Sequence, residues 1–373
     1  MKRHVIRGLV MLGLFATAAA TVSAQNALDS VEVRNRKDGS TKIHSGQFKV
    51  TPAGFQVFSG EKFDKASEAF APDDIIKVTI NELPGVDPTL FRAARDKENK
   101  KGATTKDYTD ARDGYKALAK SNLAPRSKRY LDFKVYSINH KLVDELDAGK
   151  EWEGKADKAI SDWKGFLDDY KDAFGWEIWP AVRSITRLQI ERNKYDDAAA
   201  AWAKIRGIAD LPPEPKLEAG LQEIDLRIRS KTYPTAAALA EGLLKTAAGS
   251  RKERLAIYLL AAKAGSDSKY VEGVEKIKAE MEKTKDPTVH ATGYAMMGEL
   301  YLAGGKFRDA MWMFLWVETV VNQDKDEVFK AISRLAELFE KAPMDEDPNK
   351  KPLADEEQAK KYREKLKRYR TTF

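Results

Sequence analysis

The sequence predicts a mainly α protein, a helix-hairpin solenoid preceded by a small all-β domain, on three observations. From Asp29 to Ile80 apolar and polar residues alternate at period two between glycine-bearing turns. Beyond Asp107 the strand signals stop, and Ala, Leu, Lys, Glu and aromatic residues recur at helical spacing. Within that part a six-residue element repeats: Asn193-Lys194-Tyr195-Asp196-Asp197-Ala198, Lys231-Thr232-Tyr233-Pro234-Thr235-Ala236, Ser268-Lys269-Tyr270-Val271-Glu272-Gly273 and Gly305-Lys306-Phe307-Arg308-Asp309-Ala310. Its aromatic positions lie 38, 37 and 37 residues apart, the period of stacked helix pairs.

The first element is an export signal. Lys2, Arg3 and Arg7 precede an uncharged apolar run from Gly8 to Val22, which ends in Val22-Ser23-Ala24. A basic start, a core too short to span a bilayer and small residues before the cut suit a signal peptidase. Residues 1–24 are therefore expected to be removed and the protein exported, periplasmic or secreted; a retained anchor is the alternative. Losing three basic residues lowers the formal charge from +7 to +4, so a nucleic-acid partner is not expected.

Residues 25–90 are expected as a small β-barrel-like domain. Val31 and Val33, then Ile43, Phe48 and Val50, then Phe55, Val57 and Phe58, and finally Asp74 to Ile80 mark its strands. Together with the Pro72-Asp73-Asp74 corner, this pattern resembles the SH3-like or Sm-like five-stranded barrels. Residues 91–106 hold Lys, Asp, Glu, Asn, Gly and Thr with few apolar partners and are expected as a linker.

Residues 107–373 are expected as the repeat domain. Tyr294, Met297, Gly298 and Tyr301 fall on one face of a first helix, Gly305-Lys306-Phe307 turns the chain, and Ala310, Phe314 and Val317 fall on one face of a second. This copy, 291–320, resembles a tetratricopeptide repeat, in which Gly298 and Ala310 would face each other at a close helix crossing. Two earlier segments, 107–119 with Ala111 and Tyr115 and 156–170 with Ala159, Trp163 and Phe166, are expected as second helices of divergent copies. The resemblance implies binding of a protein or peptide on the concave wall of the stack, without a cofactor.

Catalytic signatures are missing. With no cysteine there is no thiol nucleophile, disulfide or thiolate metal site. His44, His140 and His290 lie on separate predicted elements and lack the i, i+4 spacing of a metalloprotease helix. No nucleophile elbow or phosphate-binding glycine loop occurs. Asp168-Asp169 and Asp196-Asp197 are adjacent acids in a chain that is 33% charged, where such pairs on solvated faces are expected by chance. Asp345, Asp347, Asn349 and Glu356 match oxygen-ligand positions of a calcium loop, but Lys350 stands where that loop needs glycine, so no metal is expected.

Two aromatic clusters supply the candidate partner-binding residues. Met311 to Val317 is apolar on every face, and Trp312 and Trp316 lie off the stripe that Phe314 and Val317 commit to the core. They are either covered by the following repeat or form a docking surface. Trp176 and Trp179, in Phe174 to Pro180, read first as an inter-helix plug and second as a contact point. The C-terminal run from Asp355 to Arg370, acidic first and basic last, suits a helix that caps the stack, with docking on an anionic surface as the other reading. The expectation is a non-enzymatic adaptor; an envelope enzyme or glycan-processing factor with acidic groove residues is the alternative.

Overall fold

A computed structural model describes residues 29–35, 40–51, 54–60, 62–70, 74–120, 122–147, 149–171, 175–342 and 353–370. The signal segment, Phe174, the Pro72-Asp73 corner and most of the calcium-like loop lie outside the described residues.

Five strands, β1 (Asp29–Arg34), β2 (Thr41–Thr51), β3 (Gly54–Ser59), β4 (Lys65–Ala66) and β5 (Ile75–Thr79), form an antiparallel sheet in the order β4-β3-β2-β1-β5. Strand β2 serves two neighbours: its first half pairs with β1, and from Gln47 onward it pairs with β3. Gly46 sits at that changeover, where a β-carbon would run into the Phe58 carbonyl. The sheet is open rather than barrel-like. With only two residues, β4 is too short to carry the ladder round to β5. Its small core of Val31, Val33, Phe48, Phe55 and Val57 leans on the helices through Trp176.

The helices follow as seven hairpins: α1 (Pro88–Glu98) with α2 (Thr105–Leu118), α3 (Pro125–Asp144) with α4 (Lys150–Asp169), α5 (Ile178–Glu191) with α6 (Tyr195–Arg206), and α7 (Pro213–Arg229) with α8 (Tyr233–Leu244). Then come α9 (Gly249–Ser266) with α10 (Tyr270–Met281), α11 (Pro287–Ala303) with α12 (Phe307–Thr319), and α13 (Lys325–Lys341) with α14 (Glu356–Arg370). Segments 107–119 and 156–170 fall on α2 and α4, the second helices of their hairpins, as expected.

The linker expectation for 91–106 is corrected. Helix α1 runs through it to Glu98, and only the turn before Thr105 is free of helix. Asp87 caps α1 by accepting from the Thr89 and Leu90 amides, and Pro88 takes the first helical position. Burial of Phe91 and Ala94, with Glu98 held by Lys134, Lys141 and the Tyr115 hydroxyl, supplies what the polar composition hid.

The four copies of the repeated element share one turn geometry. Two residues before each aromatic, Asn193, Lys231, Ser268 and Gly305 adopt positive φ, between 57° and 74°. The next amide then reaches back five residues, Lys194 to Gln189, Thr232 to Arg227, Lys269 to Ala264 and Lys306 to Tyr301, at 2.8 to 2.9 Å. That is the Schellman closure of a helix C-terminus, and it delivers the aromatic as the first residue of the next helix each time.

Glycines on the first helices set how closely the second helices approach. Leu243 of α8 and Arg206 of α6 meet over Gly220, Tyr233 lies on Gly265, Met281 on Gly293, and the Phe314 ring on Gly298. The partner of Gly298 is thus Phe314 rather than Ala310, whose own burial is complete.

The row of hairpins turns back on itself. Helix α13 packs against α12 and α11 and also against α5, where Arg183 donates to Asp326 at 2.6 Å and Arg187 lies over the Phe329 ring. Helix α14 covers the open side of α13 with Tyr362 and Leu366, and Arg363 donates to both oxygens of Glu340 through one edge of its guanidinium, Nε and Nη2. Lys367 of α14 then donates to the Glu145 carbonyl at 3.1 Å and to Asp147 at 2.8 Å, in the turn between α3 and α4.

Candidate functional site

Closure of the row decides which surfaces are open. The inner face of the last five hairpins, where a concave trough is expected, is filled by charged side chains that bind one another. Arg229 on α7 donates to three carboxylates, Asp225 at 2.9 Å, Glu299 of α11 at 2.9 Å and Glu327 of α13 at 3.1 Å. Lys330 donates to Asp225 at 2.6 Å and Glu327 at 2.9 Å. Arg334 grips Glu299 with two nitrogens and the Arg229 carbonyl with one, and stacks on the Tyr195 ring at 4.3 Å. Three cations thus face three anions in a buried cluster, beside Arg254, which bonds Thr292 and pairs with Glu218.

Burial alone would raise the Asp225 carboxyl, but Arg229 and Lys330 pull it below its ordinary value. Burial works against the Lys330 ammonium, and Asp225 and Glu327 overcome it, raising its affinity for the proton. Glu327 goes the other way: desolvation dominates and its carboxyl is pushed up. A pair removed from water holds only while every member has its partners, so this cluster ties α7, α11 and α13 in one register.

The four candidate tryptophans separate into two pairs. Trp179 is 2% exposed and meets Trp202 edge to face at 4.8 Å. Trp176 packs at once against Phe48 of the sheet, Tyr130 and Phe133, pinning the sheet to the helices. Both act as an inter-helix plug, Trp179 buried and Trp176 half-buried. Trp312 and Trp316 are 56% and 42% exposed, and Val320, one turn further, is 51% exposed. The following repeat does not cover them. They form an apolar stripe along the outer side of α12, with Trp316 stacked on Tyr294 at 5.5 Å and an interplanar angle of 10°. The remaining tryptophans, Trp152, Trp163 and Trp202, are buried.

A second opening lies between the first two hairpins. A groove of about 960 Å³ runs over α3, with α2 and α4 as its walls. Val135, Tyr136, Leu142 and Leu146 line its floor. Arg112, Lys116 and Lys120 lie along the α2 wall, and Glu151, Lys155, Lys158 and Asp162 along the α4 wall. No sequence feature singled it out.

The three histidines and the two adjacent acid pairs sit on separate elements, each histidine with its own neighbours. His44 packs against Phe70 with the rings tilted by 54°, His140 lies 3.5 Å from Asp144, and the His290 ring, on α11, shares a hydrogen bond with the Thr284 carbonyl. Asp168-Asp169 and Asp196-Asp197 are exposed. Among the described residues no group of three His, Asp or Glu could hold a metal ion, and no helix is long and apolar enough to cross a membrane. No protein-family model matches the chain, and no curated protein matches it.

Proposed function

We propose that this chain is an exported, non-enzymatic adaptor that docks a protein partner on the outer side of its repeat row, with Trp312, Trp316 and Val320 as anchors. The observation that carries this reading is the exposure of two tryptophans one helical turn apart, in a fold that buries Trp152, Trp163, Trp179 and Trp202. Large aromatic surface left in water is costly to keep, and when desolvated it supplies most of the affinity of an interface. Trp316 is held rigid by its stack on Tyr294, so little conformational freedom is lost when a partner covers it. The outer wall replaces the concave trough in this reading because buried ion pairs occupy the inner face.

The hairpins are read as tetratricopeptide-like, on the crossing at Gly298 and the aromatic that opens the second helices α6, α8, α10 and α12. The sheet is read as SH3-like or Sm-like, on β1 lying between β2 and β5. Export rests on the basic start and apolar core of residues 1–24.

The test is capture from an envelope fraction with the tagged chain, repeated with Trp312→Ala and Trp316→Ala together. A stoichiometric protein retained by the parent and lost by the double variant, at unchanged thermal midpoint, is the expected result. Retention of every partner by a folded double variant overturns the assignment of this surface.

A further inference from the structure

The groove over α3 is a second surface, independent of the tryptophan stripe, and its origin can be read in the chain. On α7, α9 and α11 a glycine, Gly220, Gly265, Gly293 or Gly298, lets a neighbouring side chain settle onto the first helix. Helix α3 has no glycine in its twenty residues. Its corresponding surface carries Val135, Tyr136 and Leu142, which stand up between α2 and α4 and leave them apart.

The charges on the walls are unequal. Arg112 and Lys116 on α2 and Lys120 in the turn just after it recur at i, i+4 and i+8, and no carboxylate of α2 lines the groove. Arg112 is engaged with Asp113, whereas Lys116 and Lys120 have no ion pair among the described residues. The acids that face the groove come from α3, α4 and the turn between them. Asp132 is held by Lys128 and the Tyr170 hydroxyl, and Asp162 by Lys158. Glu145 and Glu151 lie at the far side with Lys155. An apolar floor beside one basic wall is complementary to a helix with an apolar stripe flanked by a row of acids.

We infer that this groove binds an amphipathic helix of a partner protein, its apolar stripe on Val135, Tyr136 and Leu142 and an acidic row, spaced i, i+4, along Lys116 and Lys120. Such a helix would lie in the place that the flanking side chains fill over the later hairpins. Its recognition follows the helix-in-groove mode, with the basic wall fixing which way the helix is turned about its axis.

The experiment is selection from an unbiased displayed library of helical peptides against the full chain, run in parallel against Lys116→Glu/Lys120→Glu. Both positions are exposed, so the variant keeps the fold, which circular dichroism and the thermal midpoint check. Selected binders are expected to carry apolar residues at helical spacing with Asp or Glu at i, i+4. Each should lose about tenfold or more in affinity for the double variant, and should weaken with added salt. Tyr136→Ala should weaken the same binders, while Trp312→Ala/Trp316→Ala should not, which separates this surface from the adaptor stripe. An empty selection, binders without acid enrichment, or equal affinity for parent and charge-reversed chain would overturn the proposal.

Discussion

The first two helical hairpins and the last five are built from the same unit but handle their inner and outer spaces in opposite ways. In three of the later hairpins glycines let neighbouring side chains settle onto the first helix, and charged residues far apart in sequence tie α7, α11 and α13 together. In the earlier hairpins Glu98 of α1 is likewise held by Lys134 and Lys141 of α3, but α3 is bulky along the face between α2 and α4, and a groove stays open there. The lesson is that a repeat row offers binding surface where packing is left incomplete, and that here closure has removed the concave wall that repeat periodicity alone would offer.

Breaking the lock should have the largest effect. Arg229→Met leaves Asp225, Glu299 and Glu327 buried without their shared cation, which costs about 3–5 kcal/mol. A lowered urea midpoint checks it, against Lys116→Glu/Lys120→Glu, whose midpoint should move by no more than about 0.5 kcal/mol in equivalent stability.

The packing difference gives the next effect. At Gly293 a β-carbon would meet the Met281 side chain, so Gly293→Ala should cost about 1–3 kcal/mol. Asn139→Ala, on the open groove of α3, should change stability by about 0.5 kcal/mol or less, since nothing packs over it.

Acid should strain both regions. In the first hairpins burial would raise Glu98, but Lys134 and Lys141 hold it at about 2 against an ordinary 4.5. In the ring Asp326, likewise raised by burial, is held at about 2 by Arg183 and Arg187. For carboxylates depressed in the folded state, the stabilisation is present above the unfolded value and lost as pH falls through the folded one. The urea midpoint should therefore drop between pH 4.5 and about 2. Glu98→Gln or Asp326→Asn should flatten part of that drop; Glu327, raised by burial, acts in the opposite direction and above pH 4.5, outside that window.

The smallest effect sharpens the repeat itself. Lys231 holds a left-handed conformation at φ 63° that glycine adopts without penalty, so Lys231→Gly should stabilise by about 1 kcal/mol. Gly305→Ala, at φ 74° in the equivalent turn, should destabilise by a similar amount, both read from thermal midpoints.

These differences explain what was legible in the sequence. The turns at Tyr195, Tyr233, Tyr270 and Phe307 were, because a helix stop, a left-handed residue and an aromatic start lie within six residues. The strands were, because alternation is local too. Helix α1 was hidden by its polar composition, although Asp87-Pro88 is a start signal and Phe91, Ala94 and Glu98 share a face. Ring closure was not legible: Arg183 meets Asp326 across 143 residues, and Asp225, Glu299 and Glu327 look in the chain like any charge on a solvated helix. The groove was hidden because it is defined by how α2, α3 and α4 come together, which no local motif marks. Of the four tryptophans, spacing alone could not tell the pair packed between elements, Trp176 and Trp179, from the exposed pair.

Closure of the row is the claim on which the rest depends, and a chain without cysteine allows a direct measurement. Asp147→Cys and Lys367→Cys place two thiols at the contact between the α3–α4 turn and α14, 220 residues apart in sequence. With a short bifunctional thiol reagent the monomer should cross-link within itself rapidly, and adding Arg229→Met should suppress that link. No internal link in the otherwise unaltered chain, or links only between molecules, would mean that the row is open and its concave wall free.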